Sequence, residues 1–184
     1  MIRSSLAAAA RAVLLEPSPA GKVAFSHEAA AAWRAGELSP AAGGITMPAR
    51  SARPEVPPLL APRLMPRRRP GGVRGRIALL HAVAHIELNA IDLAWDLIGR
   101  FGGSRDWPAA FFDDWVTVAD DEARHFTLLE ARLAELGAGY GDLPAHDGLW
   151  QAAADTAGDP LARLAVVPMV LEARGLDVTP AMIA

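Results

Sequence analysis

Apolar residues recur at every third or fourth position through two long segments of this chain, residues 75–101 and 108–136. In the first segment the spacing is kept by Ile77, Leu80, Ala84, Glu87, Ile91, Ala94 and Ile98. In the second it is kept by Phe111, Trp115, Val118, Glu122, His125, Leu129, Leu133 and Leu136. Side chains with this spacing share the face that an α-helix turns toward the core of a bundle. The pattern therefore predicts two long core helices.

Glycine and proline define the ends of the helices. The long helices are expected to end at Gly102-Gly103 and at Gly137, since glycine is the common residue just beyond a helix C-terminus. The run Pro17-Ser18-Pro19 separates two short helices near the N-terminus, and Asp147 is an expected N-cap. The four shorter helices are predicted at residues 4–15, 22–35, 148–157 and 160–174.

A proline-rich stretch, residues 39–73, separates the N-terminal helices from the long ones. Proline cannot continue a helix, so we expect this stretch to run extended along the surface. Its run Arg67-Arg68-Arg69 is interpreted as a solvated linker rather than a polyanion contact, because no aromatic residues are interleaved with it. The sequence thus divides into an extension packed on the bundle, residues 1–73, and a helical domain, residues 74–184.

Composition supports an all-α fold and narrows the function. Hydrophobic residues make up 52% of the chain, and alanine supplies much of this fraction, while only 6% of residues are aromatic. Alanine has the highest helix propensity, so this composition favours helices. A net charge of -3 argues against a general nucleic-acid-binding protein, although it leaves room for a local contact with RNA. Arg11 and Glu16 interrupt the N-terminal apolar stretch, so a signal peptide is not expected. A membrane span is not expected either, because no segment approaches the roughly 18 uncharged apolar residues that one requires.

The chain has no cysteine, which removes disulfides, thiolate metal sites and cysteine nucleophiles from consideration. The lack of disulfides agrees with a predicted cytoplasmic location. Any metal ion would be held by histidine and carboxylates, a ligand set that suits iron or manganese first and zinc as well.

The two apolar stripes contain charged residues that need compensation. Glu87 interrupts the first stripe, and Glu122 and His125 interrupt the second. A carboxylate in a core is costly unless it is paired or coordinated, and residues three apart on a helix can present an oxygen and a nitrogen to one ion. We therefore predict that these three residues bind a metal ion. The alternative is a hydrogen-bonded cluster in which a glutamate pairs with Arg124 or His85.

Three further residues are weaker candidates. Glu172 shares a helix face with Leu161, Ala165 and Pro168, so it is a candidate ligand, with a surface glutamate beside Arg174 as the alternative.

On the first long helix, His85 and Asp92 lie on a stripe offset from Glu87. They could orient the metal ligands, but the structural interpretation, hydrogen-bonded groups packed against a neighbouring segment, is favoured.

Several strings in the chain resemble a known bacterial family. AHIELNAIDLAWD, DDEARHFTLLEARLAELG, YGDLPAHDGLW and VLEARGLDVTP resemble domain-of-unknown-function 455, a ferritin-like family. More distantly, the chain is similar to the tRNA hydroxylase branch of ferritin-like di-iron proteins.

The resemblance implies an all-α, ferritin-like bundle with the metal ligands Glu87, Glu122, His125 and Glu172. The ferritin-like pattern also has a fourth helix with a second Glu-x-x-His, and no such motif follows Glu172 in this sequence. The expected bundle therefore has three core helices, and a homodimer is one way to close it.

The resemblance leaves two functions open. One is a di-iron or iron/manganese oxidoreductase that acts on an unknown organic substrate, with Glu122 bridging the metals. The other is a catalytically incomplete scaffold or metal-binding module.

Overall fold

A computed structural model describes residues 5–40, 44–66 and 71–172 of the chain, the last three of them by their backbone alone. Almost all of the regular structure in these ranges is helical. The helices are α1 (Leu6–Leu15), α2 (Pro19–Arg34), α3 (Gly72–Phe101), α4 (Ala109–Glu135), α5 (Gly148–Asp155) and α6 (Pro160–Val166), and a π-helical turn, Val167–Glu172, follows α6. The predicted all-α helical bundle is confirmed.

The core lies between α3 and α4 and is closed on one side by α1 and α2. Helix α1 packs against α3, and α2 packs against α4. Gly99 allows the close approach of α1, because a Cβ atom at this position would lie 3.0 Å from the Cβ of Ala10. The N-terminal helices therefore share one hydrophobic core with the long helices.

Burial on α3 and α4 extends beyond the predicted stripes, although members of those stripes such as Ile91, Ile98 and Leu133 are buried as expected. On α3 the fully buried positions include His81, His85, Leu88, Asp92 and Trp95, and on α4 they include Phe112, Val116, Ala119, Ala123 and Phe126. The reason is that α2 covers this side: the Ser26 hydroxyl donates to the Ala119 carbonyl at 3.0 Å and accepts from Trp95 Nε1 at 2.8 Å. The predicted stripes are only partly covered in the region of Glu87.

Several helix boundaries differ from the prediction by a few residues, and two of these differences have a local reason. Helix α2 begins at Pro19 rather than residue 22, because the Ser18 hydroxyl caps it by accepting from Gly21 N at 3.3 Å. The last predicted helix is α-helical only as far as Val166 and then widens into the π-helical turn that contains Pro168. Proline has no N–H to donate, which favours such a break in the hydrogen-bond ladder.

The proline-rich stretch is more integrated into the fold than the sequence suggests. Met47 and Ser51 are buried, and the Pro48 carbonyl accepts a hydrogen bond from Arg100 Nη2 at 2.8 Å. Further along, strand β1 (Leu59–Leu60) pairs in parallel with strand β2 (Ala145–His146). The expectation of a purely surface-running segment is therefore wrong for this part of the stretch, whereas Arg67-Arg68-Arg69 lies outside the described residues.

Helix α3 is long and apolar enough to cross a membrane by length and composition alone. However, 56% of its most apolar window is buried inside the protein, as in the core helix of a helical bundle.

Helices α5 and α6 pack near the C-terminal half of α3. Helix α5 starts next to His146, whose carbonyl contacts His85, and its last turn contacts Arg163, which pairs with Asp96. The π-helical turn that follows α6 also contacts α5.

Candidate metal centre

Glu87, Glu122 and His125 come together across the contact between α3 and α4. One ligand-type atom from each residue lies within 4.8 Å of the others. Nδ1 of His125 is 3.0 Å from Oε2 of Glu122 and 3.9 Å from Oε2 of Glu87. Glu122 and His125 are three residues apart on α4, so one turn presents both side chains to the carboxylate of α3.

The dimensions of this cluster suit a single metal ion. Carboxylate oxygen and imidazole nitrogen bind such ions at about 2.1 Å, which places two ligands of one ion about 3.0 to 4.2 Å apart. The distances from His125 Nδ1 to the two carboxylates, 3.0 and 3.9 Å, fall within this span. Two carboxylates and one imidazole are also a donor set used by iron, manganese and zinc.

The cluster is more open than the sequence predicts. The side chains of Glu87 and Glu122 are 19% and 17% exposed, and that of His125 is 41% exposed. The expected fully buried position is wrong because α1 and α2 cover the opposite side of the α3–α4 pair. The neighbouring apolar residues Ile86 and Leu128 are also exposed, by 46% and 58%. Solvent therefore reaches the site mainly at His125, while the two glutamates are mostly covered.

The described contacts of Arg124 are with its own helix and not with either glutamate. Its Nη2 atom lies 3.2 Å from Nε2 of His125 and 3.4 Å from Asp121. These contacts do not include the pairing of Arg124 with Glu87 or Glu122 that the alternative interpretation predicted.

His85 and Asp92 make their described hydrogen bonds away from the cluster. His85 Nε2 donates to the carbonyl of His146 at 3.1 Å, and its Nδ1 accepts from the Tyr140 hydroxyl at 2.8 Å. Asp92 accepts from Nζ of Lys22 at 2.6 Å. Both residues thus connect α3 to neighbouring segments.

The partners of His85 and Asp92, which are Tyr140 and Lys22, could not be identified from the sequence pattern. Tyr140 is the only tyrosine of the chain, and its ring stacks on those of His81 and His85, with centroids 5.4 and 6.2 Å away. Lys22 is the only lysine and is fully buried. Their rarity is the one signal that the sequence offers, since neither continues an apolar stripe.

Burial makes His85 a source of acid sensitivity. Desolvation lowers its pKa from 6.5 to about 4. The folded state thus binds a proton at His85 less readily than the unfolded state does. The contribution of neutral His85 to the free energy of unfolding is therefore fully present above pH 6.5 and is lost as the pH falls from 6.5 to about 4. Between these limits the loss approaches about 1.4 kcal/mol per pH unit.

We therefore expect the wild-type chain to lose about 3 kcal/mol more stability than His85→Gln between pH 7.5 and pH 4.5. Urea unfolding at the two pH values measures this difference. An equal loss in both proteins would show that His85 is not the responsible group.

Glu172 is placed by its backbone only, at the end of the π-helical turn. Its side chain and Arg174 lie outside the described residues, so the predicted ligand role stays a prediction.

Asp147, the expected N-cap of α5, occupies the cap position but forms no capping hydrogen bond with its side chain. Its carboxylate instead accepts from Arg50 Nη1 at 2.6 Å.

Comparison with known proteins places the chain in a family. A family model described as protein of unknown function (DUF455) matches residues 15–184. An uncharacterized protein of Haemophilus influenzae is 48% identical over 136 residues, which are 72% of this chain and 47% of the relative. The chain therefore spans about half the length of this relative. No solved structure matches it significantly. Since the family model covers far more than half of the sequence, this chain belongs to the DUF455 family.

Proposed function

We propose that this chain binds a divalent transition-metal ion through Glu87, Glu122 and His125. The observation that carries the proposal is the convergence of their three ligand-type atoms, from two different helices, to within 4.8 Å of one another. Acidic groups at a protein surface often converge without an ion. Here, however, the two glutamates are more than four-fifths buried, and a cation would relieve the repulsion between their charges.

Iron or manganese is the proposed metal, with zinc as the next choice. The ligand set combines two hard carboxylates with one imidazole, and the chain has no thiolate that would select a softer ion. Nδ1 of His125 lies within hydrogen-bond distance of the Glu122 carboxylate, which can only accept, so this nitrogen must lose its hydrogen before it can bind a metal.

We further propose that the site is ferritin-like and belongs to an oxidoreductase. The support is the matching of Glu87 and the Glu122-x-x-His125 pair to the first two motif helices of ferritin-like proteins. The resemblance to ferritin-like proteins is the support for Glu172 as a further ligand. When bound, iron or manganese would supply one-electron chemistry with oxygen.

The contribution of the chain is to hold these ligands at a site that a substrate can reach, as the exposure of His125 allows. The alternative is a metal-binding module without activity. Consumption of oxygen by the metal-loaded protein in the presence of a reductant separates the two functions.

The metal proposal is tested with Glu122→Gln, which keeps the shape of the side chain and removes its charge. Metal analysis of wild-type protein dialysed against Mn²⁺ or Fe²⁺ is expected to give about one or more ions per chain, with the affinity reduced at least about tenfold in the variant. The control is Glu130→Gln, an exposed position of the same helix, which should bind like wild type. Less than about one ion per chain, unchanged by Glu122→Gln, would refute the site.

A further inference from the structure

The side chain of Arg124 lies against the outer nitrogen of the His125 ring. Its Nη2 atom is 3.2 Å from Nε2, while Nδ1, the nitrogen on the other side of the ring, faces Glu122 at 3.0 Å. The imidazole is thus held between a guanidinium and a carboxylate.

The chemistry of the two neighbours fixes the position of the ring hydrogen. Arginine can only donate hydrogen bonds, so Nε2 of His125 is the acceptor in this contact. A carboxylate can only accept, so Nδ1 carries the hydrogen and donates it to Glu122. The arrangement therefore places a ring hydrogen on Nδ1 and leaves Nε2 as the acceptor.

That tautomer is the wrong one for binding a metal between α3 and α4. The proposed ion would lie on the side of Nδ1, which must offer a lone pair while the hydrogen moves to Nε2. An N–H group at Nε2 would then face the N–H groups of Arg124, and two donors cannot form a hydrogen bond. Metal-bound histidines normally donate this second N–H to an oxygen acceptor.

We propose that Arg124 sets the metal affinity of the site by holding His125 in the tautomer that cannot bind the ion, so that metal binding requires the guanidinium to leave Nε2. This inference rests on the proposed function of the Glu87, Glu122 and His125 cluster. It makes Arg124 a positioning residue that opposes metal binding. Because its side chain is 57% exposed, the guanidinium can turn into solvent when an ion binds.

The effect of hydrogen-bond direction can be separated from the effect of charge. Arg124→Met removes the positive charge and provides no acceptor, whereas Arg124→Gln removes the same charge and offers an amide oxygen to Nε2–H. The lost charge alone should tighten cation binding by about threefold or less at an exposed site in physiological salt. The added acceptor should tighten it by about a further tenfold.

The experiment is calorimetric titration of Mn²⁺ into metal-free wild type, Arg124→Gln, Arg124→Met and Glu122→Gln. The exposed Arg132 of the same helix, replaced by Gln, is the matched control and should bind within about twofold of wild type. In metal-free wild type, ¹⁵N NMR of the His125 ring is expected to show hydrogen on Nδ1. These readouts do not depend on any enzymatic activity.

Arg124→Gln is expected to bind Mn²⁺ about tenfold more tightly than Arg124→Met. Equal affinities of these two variants, or hydrogen on Nε2 in the wild type, would overturn the role of Arg124 while leaving the site itself intact. If wild type and Glu122→Gln both fail to bind Mn²⁺, the proposed function fails, and this inference fails with it.

Discussion

Replacement of Lys22 by methionine is expected to destabilise the fold by about 3 to 5 kcal/mol. Nζ of Lys22 donates to Asp92 at 2.6 Å and to the Val13 carbonyl at 3.1 Å, and both charged side chains are fully buried. The other carboxylate oxygen of Asp92 has no hydrogen-bond partner among the described residues. Without the ammonium group, the buried carboxylate would lose its charged hydrogen-bond partner and keep only the weaker compensation from Arg53 and Ser51.

The pKa shifts of the pair show how costly its burial is. Desolvation raises the pKa of Asp92 and lowers that of Lys22, and the charge of each residue opposes the shift of the other. The pair connects α2 to α3. Because each charge compensates the burial of the other, the pair stabilises the fold only while both members are present. A pair of apolar residues of similar volume can replace such an ion pair with little loss.

Urea unfolding of Lys22→Met, Asp92→Leu and the double variant tests this interpretation. Each single variant is expected to unfold at a lower urea concentration, and the double variant should be more stable than Lys22→Met. Arg11→Met serves as the control, because it removes an exposed positive charge from α1. A double variant that loses the sum of the two single effects would show that the two charges are not coupled.

The second large effect is expected at Arg163, whose replacement by methionine should cost about 3 kcal/mol or more. Its guanidinium donates to Asp96 at 2.6 Å, to the Ala153 carbonyl at 2.6 Å and to the Thr156 hydroxyl at 2.9 Å. The side chain is almost completely buried and lies over the ring of Phe101. One residue thus fixes the α5–α6 hairpin onto α3.

Loss of Arg163 should act locally as well as globally. Asp96 keeps a second partner in Arg100, so α3 is expected to stay folded while α5 and α6 open more often. Hydrogen exchange should therefore accelerate in residues 148–166 and change much less in α3. Arg100→Met is the matched control, since it removes the more exposed partner of the same carboxylate. Uniform acceleration throughout the chain would contradict a local role for Arg163.

The ligand cluster shows how far a periodic pattern can lead. The spacing of Glu87, Glu122 and His125 within two apolar stripes is enough to predict that they share the face between two helices, and the structure brings them together. It cannot predict their exposure. A stripe on an isolated helix does not show which neighbour will cover it, and α1 and α2 lie on the other side.

The buried polar residues His85 and Asp92 of α3 show what helix periodicity cannot predict. His85 and Asp92 stand out in the sequence, but their partners Tyr140 and Lys22 lie 55 and 70 residues away along the chain. No local pattern links residues so far apart. Long-range pairing of this kind depends on which segments the folded chain brings together.

The sequence alone determined the helical class, the two long helices and the candidate ligands, because helix periodicity acts over a few residues and is visible in any short window. The tertiary structure decided which helix faces are buried, how the proline-rich stretch enters the core, and which nitrogen of His125 faces Glu122. These features follow from contacts between distant segments, where burial and hydrogen-bond partners are set by the whole fold.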